Sequence, residues 1–232
     1  MTGRLPYRPH WDANRVIAAF CLALLPPLAV GIATRGPAVA APLALAFALA
    51  VAWPLLFARL RRRAMTYHSV VPAAVFVLLL PASVPLWQQG LAISFGLVMG
   101  DLIFGGRGRG FLNPVVVGLA FLLFSYPATS LPPLAPSMAF AATASGVVLL
   151  AFGLLSWRVV AGVGLGIGVG IALLSGTADL AALRSATLIL GVVFLIGDPV
   201  AGASTNAGRW AYGALAGGLI ALLVEAGGGM GM

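Results

Sequence analysis

Five acids stand in this chain of 232 residues, and two of them, Asp101 and Asp198, lie inside long apolar runs. A carboxylate at membrane depth is costly and marks a functional site by default. Asp198 sits in Gly197-Asp198-Pro199, with Ser204-Thr205-Asn206 and Arg209 close behind. Beside a helix break, such a group suits cation binding or a hydrogen bond to a cofactor ring. The plainer alternative is an interfacial Asp that ends a helix and pairs with Arg209. Asp101 has the same two readings, and together the two acids outline a candidate ion pathway.

Shortly after Asp101 comes Gly105-Gly106-Arg107-Gly108-Arg109-Gly110, then Phe111-Leu112-Asn113-Pro114. The loop has no Lys-Ser/Thr pair for a P-loop, and no strand precedes it, so it is not a dinucleotide fingerprint. Asn113 is placed as an N-cap and Pro114 as the first helical residue. The N–H groups of that helix then face the loop, an arrangement that attracts an anionic or electron-accepting group. The alternative is a flexible turn carrying two arginines that set topology.

Other chemistries are excluded by what is missing. Cys21 is the single cysteine, so the chain builds no disulfide framework and no cysteine-held cluster of its own. His10 and His68 have no second histidine at ligand spacing, which argues against a haem or metal site. All thirteen bases are arginine, giving a formal net charge of +8. They sit between apolar runs and form no basic stripe, so they set topology and do not bind nucleic acid.

The elements that must position these residues are membrane helices. The chain is 61% hydrophobic and 8% charged, with a mean hydropathy of +1.08, against roughly a quarter charged in soluble domains. At about 20 apolar residues per crossing, nine spans are expected, near 14–34, 38–58, 68–85, 89–104, 113–127, 138–155, 158–174, 185–198 and 210–226. The fold class is therefore all-α, an integral membrane bundle. Residues 1–13 form a cytoplasmic segment, 14–226 the transmembrane domain and 227–232 a short tail. The N-terminal stretch lacks a cleavage site and reads as preceding a retained helix.

Arginines fall before the first span and after the second, fourth, sixth and eighth, leaving only Arg35 and Arg184 on the other side. The positive-inside rule then puts the N-terminus in the cytoplasm and the C-terminus outside, in the periplasm of a bacterial inner membrane. An internal repeat is also visible: Val75–Leu91 lines up with Val193–Leu215. Each is an apolar run stopped at a proline, then a loop, then Trp-x-x-Gly opening a helix (Trp87 to Gly90, Trp210 to Gly213). By the arginine pattern the two breaks face opposite sides, the sequence mark of an inverted repeat with a central site between broken helices. The glycines from Gly162 to Gly170 suit close helix packing, and the five tryptophans suit an interfacial belt.

These residues carry a resemblance. Leu80–Pro127, Ser156–Gly162 and the residues from Asp198 through Thr205, Asn206, Arg209, Trp210 and Tyr212 to Leu215 are similar to one family. It comprises the B subunit of the sodium-translocating NADH:quinone reductase and the D subunit of the Rnf complex. The resemblance implies ten helices in two inverted five-helix halves and flavin inside a redox complex coupled to sodium or proton transfer. It also implies that Gly105, Gly106, Asn113, Asp198, Thr205 and Asn206 surround a non-covalent flavin, riboflavin or FMN, or an ion route. That family attaches a further FMN covalently to the threonine of a Ser-Gly-Ala-Thr motif. The corresponding loop here, Ala128–Ser137, lacks the motif, and Ser175-Gly176-Thr177 follows another helix, so covalent FMN is not expected. The chain thus resembles a shortened member without that motif or a tenth helix. The expected function is a subunit of an electron-transfer complex, with other membrane subunits and lipid as partners. The alternatives are a redox-inactive scaffold that kept the fold, and a channel or transporter.

Overall fold

Each of the nine apolar segments contains an α-helix in a computed structural model that describes residues 13–62, 67–80, 83–106, 109–110, 112–127, 129, 134–174 and 185–228. The helices are α1 (Ala13–Arg35), α2 (Ala40–Arg61), α3 (Val70–Leu79), α4 (Leu86–Leu97) and α5 (Pro114–Ser125). They continue with α6 (Pro136–Ala151), α7 (Trp157–Leu174), α8 (Ala186–Gly191) and α9 (Asn206–Gly228). No strand occurs among the described residues. Arg4, Arg8, His10, Trp11, Arg63, Arg107, Phe111, Ser175-Gly176-Thr177, Arg184 and residues 229–232 lie outside the described residues.

Helix lengths differ from nine uniform crossings. Two stretches are long and apolar enough to span a bilayer: Asn14–Arg61, 48 residues that fold back through a tight turn at Gly36–Val39, and Asn206–Glu225. Five further apolar helices have 10–17 residues. The shortening has local causes. The third segment, expected over 68–85, is helical only to Leu79, because Pro81 has no N–H to offer and forces the residue before it out of the helical region. Leu80 accordingly sits at φ −80, ψ 145.

Two helices loosen before they stop. α4 passes into a π turn at Val98–Leu102 and α8 into another at Val192–Ile196. Their wider register is seen in the Ile103 N–H donating to the Val98 carbonyl at 3.0 Å and the Gly197 N–H to Val192 at 2.8 Å. Such turns recur at functional sites, since they redirect side chains and free carbonyls from the helical ladder. Asp101 lies in the first π turn, and Asp198 follows the second by two residues.

Packing makes the helices alternate in direction about a central α3, whose residues Val71–Leu79 are all buried. At one end the Arg35 guanidinium reaches the carbonyls of Val77 (3.0 Å) and Leu78 (2.7 Å), Gly31 faces Leu78 and Met138, and Trp87 packs edge-on against Tyr126 at 5.6 Å. At the other end Arg61 reaches Leu102 (2.8 Å) and Ile103 (3.0 Å), His68 meets Asp101, and Asn113 meets Asp198. Of the eight arginines among the described residues, Arg15, Arg59, Arg61, Arg62, Arg109, Arg158 and Arg209 belong to helix ends and loops on this second side. Arg35 belongs to the first.

Two helix pairs lie side by side in the same direction. Gly90 of α4 faces Leu45 and Leu49 of α2, and Trp53 donates to Ser94 at 2.9 Å, so α2 and α4 run parallel. Gly213 and Gly217 of α9 face Val159, Gly162 and Val163 of α7, so α7 and α9 also run parallel, but in the opposite sense. Counting from Trp87 and from Trp210, the same third and seventh positions make both contacts. Both units place a broken helix, α3 or α8, before the tryptophan.

Candidate functional site

The arginine-rich end of the bundle draws four buried polar side chains from four elements. His68 precedes α3, Asp101 lies in the π turn after α4, Asn113 caps α5 and Asp198 follows α8; each is at most 8% exposed. His68 Nε2 is hydrogen-bonded to Asp101 Oδ2. The Asp198 Oδ1 accepts from the Val200 N–H at 3.0 Å, and its Oδ2 accepts from Asn113 Nδ2 at 3.2 Å.

Asn113 ties the start of α5 to the end of α8. Its Oδ1 accepts from the Val115 N–H at 2.9 Å, the N-cap expected from the Asn-Pro pair, with Asn113 extended at φ −79, ψ 124. Its Nδ2 also donates to the Phe194 carbonyl at 3.2 Å. That carbonyl needs an outside donor because of the chain itself. In the register of the π turn its partner would be the N–H five residues on, at Pro199, which has none. Asn113 supplies the missing donor across 81 residues of sequence. Its amide oxygen and nitrogen are therefore committed inside the protein.

The glycine loop closes over the same place. Gly105 and Gly106 hold φ +108 and +92, a region side chains rarely enter, so glycine is required for the chain to turn here. The Gly105 N–H donates to Leu102 and the Gly106 N–H to Asp101, both at 3.1 Å. A Cβ added to Gly106 would lie 3.9 Å from His68 Cε1. Thr205 and Asn206 are placed differently: both are exposed at the start of α9, where Thr205 Oγ1 accepts from the Gly208 N–H at 3.0 Å. The structure thus brings Asp101, Asn113, Asp198 and the Gly105-Gly106 turn together, and leaves Thr205 and Asn206 capping a helix at the surface.

Among the described residues, two spaces adjoin this cluster. A cavity of about 30 Å³ is lined by His68, Asp101, Asn113 and Asp198 with apolar neighbours including Phe20 and Phe194. A groove of about 580 Å³ starts at Leu112, Asn113 and Val116 and runs along α8 and α9, past Thr187, Gly191 and Tyr212. The first is large enough for water. Only the second falls in the range of roughly 300–1,000 Å³ that holds a cofactor. Its lining is mainly apolar with a few polar groups, as such sites require. The residue the sequence did not single out is His68, which lies 33 positions from Asp101. No short-range spacing marks that pairing. The redirected turn around the carboxylate was equally invisible.

The model of the NQR2, RnfD, RnfE family matches residues 6–134 and 131–230 of the chain. The B subunit of the Na(+)-translocating NADH-quinone reductase of Pseudomonas paraeruginosa is 32% identical over 225 residues, covering 74% of this chain and 56% of the relative. The same protein of Azotobacter vinelandii is likewise 32% identical over 225 residues, with the same coverage. That of Pseudoalteromonas atlantica is 31% identical over 226 residues, covering 75% of this chain and 56% of the relative. The chain spans about half the length of these curated relatives.

Proposed function

Because the chain belongs to the NQR2, RnfD, RnfE family, we propose that it is a membrane subunit of a multi-subunit electron-transfer complex that couples electron flow to cation movement. In this reading the nine helices cross the inner membrane as an inverted-repeat bundle, with the arginine-rich end in the cytoplasm and the C-terminus in the periplasm. Support comes from the strict alternation of helix direction, from seven described arginines on one side, and from the opposed α2–α4 and α7–α9 pairs.

The cofactor of this reading is one non-covalent flavin, and the observation that carries it is size. Of the two spaces beside the cluster among the described residues, the groove of about 580 Å³ admits a tricyclic ring, whereas the cavity of about 30 Å³ between Asp101 and Asp198 does not. When bound, the flavin supplies the electron-carrying chemistry. The chain's own contribution is an apolar lining from Val116, Leu188, Val192 and Leu195, with Thr187 and Tyr212 offering hydroxyls. Asp101 and Asp198 form the cation route behind it, separated from the groove by Asn113.

A scaffold that kept the fold and carries no electrons is the competing reading. It is favoured by the hydrogen bonds already formed by the Asn113 amide and by the Gly105 and Gly106 N–H groups. Purified protein separates the two. A flavin absorption band near one per chain supports the carrier, and a colourless preparation that still assembles with its partners sinks it. The groove itself is tested by Gly191→Phe, since Gly191 lines it and a Cβ added there meets no atom within 4 Å. The expected result is loss of flavin from a folded protein.

A further inference from the structure

We infer that His68 and Asp101 together hold an exchangeable proton, and that the ion handled at this end of the bundle is a proton. The inference rests on the reading of Asp101 and Asp198 as an ion route, and adds His68 as the group that decides which ion. The pair is buried, His68 at 3% and Asp101 at 6% exposure, with Nε2 against Oδ2. Asp198 stands at the far side of the same cavity of about 30 Å³, space for a water or two.

The donors around that cavity suit a proton better than a hard cation, which is held by a shell of oxygens. Asn113 turns its amide nitrogen to Asp198 and gives its oxygen to Val115. Much of the remaining wall is apolar: Phe20, Val71, Val75, Val115 and Phe194. Among the described residues no three of His, Cys, Asp and Glu stand together as a metal-ion group. Two carboxylates nevertheless lie near the C-terminal ends of α4 and α8, where the helix dipole is negative. A proton on the His68–Asp101 pair offsets that charge without needing a coordination shell.

The charged and titratable groups that face the pair come from several elements. Asp198 lies beyond the cavity after α8, and Tyr212 of α9 is within electrostatic reach of Asp198. Arg61 of α2 holds the Leu102 and Ile103 carbonyls next to Asp101, and Arg109 lies against Gly105. From α1 the cavity receives Phe20, and from α5 the neutral Asn113 and Val115. In the loaded state one proton lies between Nε2 and Oδ2. On release it passes to water in the cavity, leaving a neutral imidazole and a carboxylate. One N–H or O–H bond breaks, one O–H bond forms on water, and no electron moves.

The chain has two histidines, so His10→Gln leaves His68 as the only one. The full chain, labelled with 15N-histidine and 13C-carboxyl aspartate and placed in lipid nanodiscs, is followed by NMR from about pH 5 to about pH 9. The expected result is one protonation step seen by the imidazole and the Asp101 carboxyl together. Asp101→Asn should displace the imidazole step. Exchange of potassium for sodium should leave the step where it was. An imidazole step unmoved in Asp101→Asn overturns the proposal, and so does displacement by sodium. If Asp101→Asn does not fold, the two signals of the otherwise native chain decide: titration at separate pH values overturns it. Flavin absorbance of the same sample is read separately, so failure of the proton site and failure of the cofactor reading are distinguishable.

Discussion

Asn113 performs three tasks with one amide, and substitution separates them. Asn113→Ala removes the cap on α5, a loss of about 1 kcal/mol, and leaves the buried Phe194 carbonyl without its donor, a further loss of about 1–3 kcal/mol. Asn113→Asp keeps the capping oxygen but replaces the donor with a second carboxylate beside Asp198. Thermal unfolding in detergent should show both variants destabilised, with Asn113→Asp recovering as pH falls and Asn113→Ala not. Equal stability of Asn113→Ala and the native chain would mean that the link between α5 and α8 carries no weight. Gly106→Ala is expected to cost about 1–3 kcal/mol through backbone strain at φ +92 alone. The Asn-Pro cap was legible in the sequence because capping is local. The Asn113–Asp198 and His68–Asp101 bonds span 85 and 33 residues, and no local pattern encodes them.

At the scale of the element, both broken helices obey one rule. A proline removes an N–H, a carbonyl upstream loses its partner, and a side chain from another helix supplies the donor. Asn113 does this for Phe194 after α8, and Arg35 does it at the end of α3 for Val77, whose partner four residues on would be Pro81, while also reaching the Leu78 carbonyl. The sequence showed the prolines and hence the breaks. It did not show the donors, and it read Arg35 only as a charge on the wrong side of the membrane. Its better role is as a C-terminal cap whose guanidinium satisfies two carbonyls and favours the negative helix end. Arg35→Gln should lower stability by about 1.5–3 kcal/mol, the range for a hydrogen bond to a charged group. The measurement is denaturant-induced unfolding in mixed micelles, and an unchanged midpoint would remove the capping role. The π turns were not foreseen either, since apolar composition is the same in an α turn and a π turn and only the five-residue hydrogen bonds tell them apart.

For the whole molecule, the opposed pairs make a prediction about what covers α9. Counted from their tryptophans, Ala92 and Gly96 of α4 and Gly100 of the π turn after it correspond to Leu215, Leu219 and Leu223 of α9. Those small residues are buried under α5, with Gly96 and Gly100 against Pro114 and Gly118 against Ala92. On α9 the three leucines are 70%, 60% and 67% exposed, with Leu222 beside them at 49%. If the chain works as a subunit of a membrane complex, as proposed above, these leucines are the face expected to receive another helix, one that presents small residues to them. A lipid-soluble quencher reads this directly from a fluorophore at Leu219→Cys in a Cys21→Ala background. In the isolated chain in bilayers the probe should be quenched as a lipid-facing position is. In the purified complex, quenching at Leu219 should fall several-fold, while a probe at Phe140, 79% exposed on α6, serves to compare a second face. Undiminished quenching at Leu219 in the complex would show that lipid, and no protein helix, covers α9.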